Sequence, residues 1–259
     1  MSKVTGSSNP AIPSERSAFR FLIPTETLLT DPITQPLITK YGLDTMNITA
    51  GTGLCMVWYP CRGYTIHNFV ALRPDAQSRG VVEDWQAAGC NSRDDLLTTF
   101  SDAHPSIKAV LEKAEDIKLW PLLFRKPLKS WCKGRCVLIG DAAHAMLPHQ
   151  AQAAAQALED GAALAVMLSQ LQSNDEIPQR LELFEQVRIN RASAMQIFSN
   201  IPHDYVERVN HDVQPYINGP VPTNTKDFRK WVFSHNVVKE SLAIMREHIG
   251  VREVHMDEP

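Results

Sequence analysis

The sequence predicts an α+β fold, and three observations carry that expectation. Two β-rich runs lie early, one continuous apolar run ends at Gly140-Asp141, and long helical patterns follow it. Strands gathered ahead of helices point to segregated layers rather than a regular βαβ alternation. Nowhere does a G-x-G-x-x-G open a helix after a strand, so the dinucleotide fingerprint is absent from this sequence.

Taken in order, residues 1–16 (MSKVTGSSNPAIPSER) are polar and Pro/Ser-rich and read as a disordered tail. They lack the apolar stretch of a secretory signal. AFRFLIPTETLL mixes apolar and polar residues as a half-buried segment would. TGLCMVWYP and YTIHNFVAL, joined by CRG, make a hairpin candidate whose aromatic and β-branched content suits a pleated face. VEDWQAAG reads as a helix closed by glycine. SRDDLLTTFSDA reads as one opened by Ser92, and HPSIKAVLEKA places Pro105 in a first turn. DIKLWPLLF is strand-like, with Pro121 confining it to an edge. RCVLIGD looks like a buried strand covered on both faces.

The stretch Ala151–Leu171 is apolar almost all round and predicts a largely buried helix. PQRLELFEQVRINRASAMQIFSN predicts an amphipathic helix on the outside of the core, and KDFRKWVFSHNVVKESLAIMREHI predicts another. Trp85, Trp120, Trp131 and Trp231 read as core or interface anchors.

Composition bounds the function. At 259 residues, with 44% apolar and 21% charged residues, the chain can bury one large core or two small ones. A net charge of -3 gives no electrostatic reason to expect nucleic acid or an anionic membrane surface. Five scattered cysteines without a C-x-x-C pair make a poor disulfide framework and no metal site, which points to a reducing, cytoplasmic setting. No run is long enough to span a bilayer.

Chemistry concentrates at GDAAHAMLPHQAQAAAQALEDG, residues 140–161. Asp141 stands at the carboxyl edge of a strand, where it could accept hydrogen bonds from a polyol or serve only as a turn aspartate. The helix start near Ala151 to Ala154 offers unpaired N–H groups that favour an electron-rich partner. His144 and His149 read as packed or solvent-facing. On the hairpin, Arg62 either meets a substrate carboxylate or points to solvent, and Tyr59 and His67 either line a pocket or pack in the sheet.

The stretch resembles the second FAD-binding motif of the flavin-dependent aromatic hydroxylases, the salicylate-hydroxylase-like group. Gly140, Asp141, Ala142, Ala143, His144, Pro148, Gln152, Glu159 and Asp160 fall in place in its pattern. WPLLFRKPLKSWCKGRCVLIGD resembles the lead-in to that motif, VWYPCRGYTIHNFVAL the family's substrate-side hairpin, and EDWQAAG the helix after it. WVFSHNVVKES resembles its C-terminal helix, with Asn236 where an aspartate is usual.

The resemblance implies a flavoprotein hydroxylase fold whose Rossmann-like half is incomplete. It implies a substrate-side sheet region over 17–125 and a flavin-contacting strand with C-terminal helices over 126–259. It further implies an FAD-dependent monooxygenase that uses NAD(P)H to hydroxylate an aromatic or polyketide-like small molecule. Gly140, Asp141, Pro148, Gln152, Ala153 and Ala154 would be cofactor contacts, with Asp141 on the ribityl chain, Pro148 near the reactive side of the ring and the amides of Gln152–Ala154 at its pyrimidine edge. Tyr59, Arg62 and His67 would face substrate.

There are two departures. Ala153 replaces a usual glycine, adding a methyl where backbone approaches the ring. The family's N-terminal βαβ unit and central D-G segment have no counterpart here, so the chain reads as starting just after them; a partner chain for the missing nucleotide half, or a homo-oligomer, is expected. The alternative reading is a truncated, flavin-independent cyclase or isomerase, or an inactive remnant.

Overall fold

From Phe19 to Pro24 side chains alternate between core and solvent, and the chain takes the extended form that this period-two pattern requires. The computed structural model describes residues 2–6, 8–51, 53–75, 92–201 and 203–250. The helix expected from VEDWQAAG, with Trp85, and Cys90 just after it lie outside the described residues. Two units divide the chain, one over Pro13–Leu122 and one formed by the described residues of 1–12 and 123–259.

The first unit is a five-stranded sheet with helices on one face. Its strands are β1 (Ile12–Pro24), β2 (Asn47–Ala50), β3 (Cys55–Cys61), β4 (Ile66–Pro74) and β5 (Glu115–Phe124), in the order β2-β3-β4-β1-β5. β3 and β4 pair antiparallel as the expected hairpin, with Trp58 opposite Phe69 and Phe69 in turn opposite Phe21 on β1. These three rings share the inner face, where Phe21 and Phe69 stack at 5.1 Å. Helices α2 (Thr25–Leu29), α3 (Gln35–Tyr41), α4 (Ser92–Thr99) and α5 (Pro105–Leu111) close that core with Leu28, Ile38, Leu96, Val110 and Leu111. Pro105 opens α5 as expected, and the preceding His104 accepts from the Ser106 amide at 3.3 Å. β5, with Pro121, lies at the sheet edge, where proline is tolerated.

The tail reading of 1–16 needs correction. A short helix, α1 (Ser2–Thr5), is present, and β1 opens at Ile12, pairing Arg16 with Pro74. Polar composition hid this strand because Pro13, Ser14, Glu15 and Arg16 follow its first residue, ahead of its apolar run.

The second unit begins with a two-residue hairpin of β6 (Cys132–Lys133) and β7 (Cys136–Val137), then α6 (Asp141–His144) and a 3-10 turn at Pro148–Gln150. Long helices α7 (Ala153–Met167) and α8 (Ile177–Phe198) follow, then α9 (Asn210–Val213), α10 (Thr225–Phe233) and α11 (Val237–Ile249). Leu183, Phe184 and Val187 of α8 pack with Trp131, Ala163, Met167 and Met245. Further along, Met195 and Phe198 pack with Val206, Phe228 and Val232.

Four expectations change in this unit. RCVLIGD is not a strand buried on both faces: only Cys136–Val137 forms a ladder, on one side, and Ile139 is 43% exposed. α7 is not buried all round, because Ala154, Leu158, Gly161 and Ala165 form an exposed line along it. A stripe without polar side chains reads as buried from sequence, yet here it faces out.

α8 is the central helix and not an outer one, since every residue from Arg191 to Phe198 is buried. Its charges are paired inside instead of solvated. The final helical pattern splits in two at Asn236, whose side chain accepts from the Lys239 amide at 2.9 Å and caps α11. Among the described residues no helix is long and apolar enough to cross a membrane.

Candidate functional site

The Gly140–His144 turn is made by backbone that only glycine adopts readily. Gly140 has φ 55 and ψ −141, and its carbonyl accepts from the amides of Ala143 and His144, both at 2.9 Å. Gly140 also sits against α7, where an added Cβ would lie 3.5 Å from that of Ala157. Asp141, the next residue, is exposed, and among the described residues its carboxylate has no side-chain partner.

The turn rests on a buried network that sequence reasoning did not assemble. Asp160 of α7 is fully buried and bonds the Gly140 amide at 2.9 Å, His144 Nε2 at 2.7 Å and Arg188 Nε at 2.9 Å. Arg188, also fully buried, donates to Glu159 at 2.5 Å and to the carbonyl and side chain of Gln156. Glu159 takes a two-point contact from Arg191, whose guanidinium stacks 4.9 Å over Trp231.

Burial would raise both acids, but it is outweighed. The hydrogen bond from Arg191 and the charge of Arg188 leave Glu159 below its ordinary range. Hydrogen bonds from His144 and the Gly140 amide, with Arg188, do the same for Asp160. Removing one partner would strand a buried charge, at a cost of about 3–5 kcal/mol. His235 lies 3.9 Å from Glu159 and 3.6 Å from Glu240, and burial, reinforced by Arg191, holds it down at about 4.

One signal was available in the sequence. Two adjacent acids stand in a mostly apolar α7, and Arg188 and Arg191 sit three apart on α8.

Beyond the turn, Pro148 is exposed and opens the 3-10 turn, whose closing residue Ala151 is left-handed at φ 52 and ψ 31. Gln152 precedes α7 without capping it, so the first-turn amides at Ala153 and Ala154 have no side-chain acceptor from that residue. Gly140, Asp141, Pro148, Gln152, Ala153 and Ala154 therefore all fall within the second unit.

Tyr59, Arg62 and His67 belong to the sheet unit. Tyr59 is exposed on β3, and Arg62 is exposed at the hairpin turn with φ 49. His67 needs correction as a substrate contact. It is fully buried, and both ring nitrogens are engaged, Nδ1 with Thr25 Oγ1 at 2.9 Å and Nε2 with the Gly42 carbonyl at 2.7 Å. Burial lowers its pKa, and its role is to join β4 to α2 and the end of α3.

Comparison with known proteins bears on this arrangement. The family model described as FAD binding domain matches residues 60–199, which include the whole Gly140–Asp160 assembly. This chain belongs to the FAD binding domain family. Within that flavin family it is 38% identical over 237 residues to the FAD-dependent monooxygenase cfoG of Aspergillus candidus, covering 90% of this chain and 54% of that protein. It is 37% identical over 235 residues to the FAD-dependent monooxygenase phomE' of Diaporthe leptostromiformis, covering 88% and 57%. A salicylate hydroxylase–substrate complex superposes with a TM-score of 0.70 at 26% identity, covering 92% of this chain and 58% of that one. The chain thus spans little more than half the length of these relatives, in keeping with an incomplete flavoprotein hydroxylase fold.

Proposed function

We propose that this chain forms the ribityl- and ring-contacting portion of an FAD-dependent monooxygenase, and that the whole protein uses NAD(P)H to hydroxylate an aromatic or polyketide-like small molecule. The observation that carries this reading is Asp141, a carboxylate left exposed on a turn fixed from beneath by Asp160, within a matched FAD binding domain. The donor set fits the cofactor. An exposed carboxylate accepts hydrogen bonds from polyol hydroxyls, and the start of a 15-residue helix without a side-chain cap favours an electron-rich ring edge.

In this reading Asp141 holds the ribityl chain, Gly140 lets the turn form, and Pro148 belongs to the reactive side of the ring. The amides of Gln152, Ala153 and Ala154 serve the pyrimidine edge, with the Ala153 methyl tightening the approach. When bound, the flavin supplies the redox and oxygen chemistry. This chain's residues supply orientation and a fixed electrostatic field.

The sheet unit serves the substrate side, with Tyr59 and Arg62 as contacts and Arg62 suited to a carboxylate. In this reading the pyrophosphate end of the cofactor is held by residues outside this chain's sequence. The described cysteines are all free thiols, which accords with a cytoplasmic setting. The relatives' names give the flavin-independent alternative no support.

The test is to mix the purified chain with FAD and look for a flavin absorbance band that survives gel filtration. Asp141→Ala should weaken that binding about 10- to 100-fold, as expected for losing a hydrogen bond to a charged group. Undiminished affinity in the variant would remove Asp141 from the site, and turnover of substrate without flavin or NAD(P)H would sink the monooxygenase reading.

A further inference from the structure

Asp160 touches no solvent, so it cannot meet a cofactor at the surface. Yet its carboxylate reaches both ends of the segment that carries Asp141. One oxygen, Oδ2, accepts from the Gly140 amide at 2.9 Å and bonds His144 Nε2 at 2.7 Å, while Asp141 stands between those two residues. The other oxygen, Oδ1, takes Arg188 Nε at 2.9 Å. Arg188 is in turn fixed by the Gln156 carbonyl at 3.1 Å, the Gln156 side chain at 2.9 Å and Glu159.

The three hydrogen bonds of Asp160 therefore go either to the turn or to the residue that locks it. Glu159, its neighbour on α7, shares Arg188 but bonds Arg191 in place of the turn. Both acids are carboxylates that bond Arg188, but Glu159 is partly exposed where Asp160 is buried, and only Asp160 holds the loop.

We propose that Asp160, locked by Arg188, is the positioning residue of the Asp141 turn: by gripping the Gly140 amide and the His144 ring together it sets where the Asp141 carboxylate stands. The purpose of this device rests on the flavin reading above, but its geometry does not. A carboxylate in the core thereby fixes a carboxylate at the surface through two hydrogen bonds, without touching what the surface one binds.

Two measurements on the full chain test this and keep the two readings apart. The first is amide hydrogen exchange by NMR, comparing Gly140 with the buried α8 amide of Met195 as an internal reference. Asp160→Asn should speed exchange at Gly140 by about tenfold or more relative to Met195, while Glu159→Gln should leave that ratio unchanged. An unchanged ratio in Asp160→Asn, or an equal rise in both variants, overturns the clamp. Should Asp160→Asn fail to fold, the wild type decides: a Gly140 amide as slow as the α7 interior supports the clamp, and one as fast as an open loop refutes it.

The second is FAD titration by flavin fluorescence in a double-mutant cycle with Asp141→Asn. A residue acting through Asp141 gives sub-additive losses, so that Asp160→Asn adds little once Asp141 is gone. Fully additive losses mean a general structural role and overturn the assignment. If the wild type binds no FAD, flavin binding by this chain on its own fails, and the exchange ratio alone still judges the clamp.

Discussion

Removing the methyl of Ala151 is expected to stabilise the chain. This residue closes the 3-10 turn ahead of α7 in the left-handed conformation, φ 52 and ψ 31, and its side chain is exposed. No packing is lost on truncation, so the balance is set by the backbone. An L-residue in that conformation costs about 1–2 kcal/mol, and glycine returns about 0.4–1 kcal/mol of that in unfolded-state entropy. The net gain is about 1 kcal/mol, or about 2–4 °C in Tm for a chain of this size. Thermal and urea unfolding of Ala151→Gly read it directly. Ala165→Gly is the control: this exposed alanine lies in helical backbone, where the same change should cost up to about 1 kcal/mol. One substitution type with opposite signs at two positions is a demanding result. If both variants lose stability, Ala151 is not held left-handed and the path of the loop is wrong.

Gly140→Ala should cost about 1–3 kcal/mol through backbone strain alone, because the added Cβ meets Ala157 at an ordinary contact distance. A near-neutral variant in urea unfolding would show that the turn can relax. His235 supplies a pH dependence. Its folded value is depressed to about 4 from 6.5, so the unfolded chain binds the proton first, and stability present above pH 6.5 drains away as pH falls toward 4. The loss should be about 1–3 kcal/mol across that window, and His235→Asn should flatten the urea-midpoint profile. A profile unchanged by the substitution would assign the slope to other groups.

Much of the sheet unit was legible because period-two alternation and the CRG turn are local signals. Trp58 and Phe69 fall opposite each other as a hairpin joined there requires. The flavin motif was legible for a different reason: its residues are consecutive. What escaped was whatever depends on pairing across distance. Arg180, Arg188 and Arg191 read as a solvated face because charges among apolar residues usually are one, yet all three are buried and pair with Glu176, Glu159 and Asp160. His67 escaped likewise, since its partners Thr25 and Gly42 lie 42 and 25 residues away. The alanine-rich face of α7 misled in the other direction, because small apolar residues carry no mark that says which way they turn.

That helix also changes what the solvent does to the chain. Along α7 the buried line runs Gln156, Asp160, Ala163, Met167, and the exposed line runs Ala154, Leu158, Gly161, Ala165, with Leu158 76% exposed. Its first half wears its charges inward and its hydrocarbon outward. Salt screens exposed charges and barely reaches buried ones, so the ion pairs that anchor this helix are shielded from ionic strength. Strongly excluded salts such as sulfate act instead on the outward hydrocarbon and favour covering it. An ordinary surface helix loses ion-pair support as salt rises; this one keeps its support and becomes more adhesive.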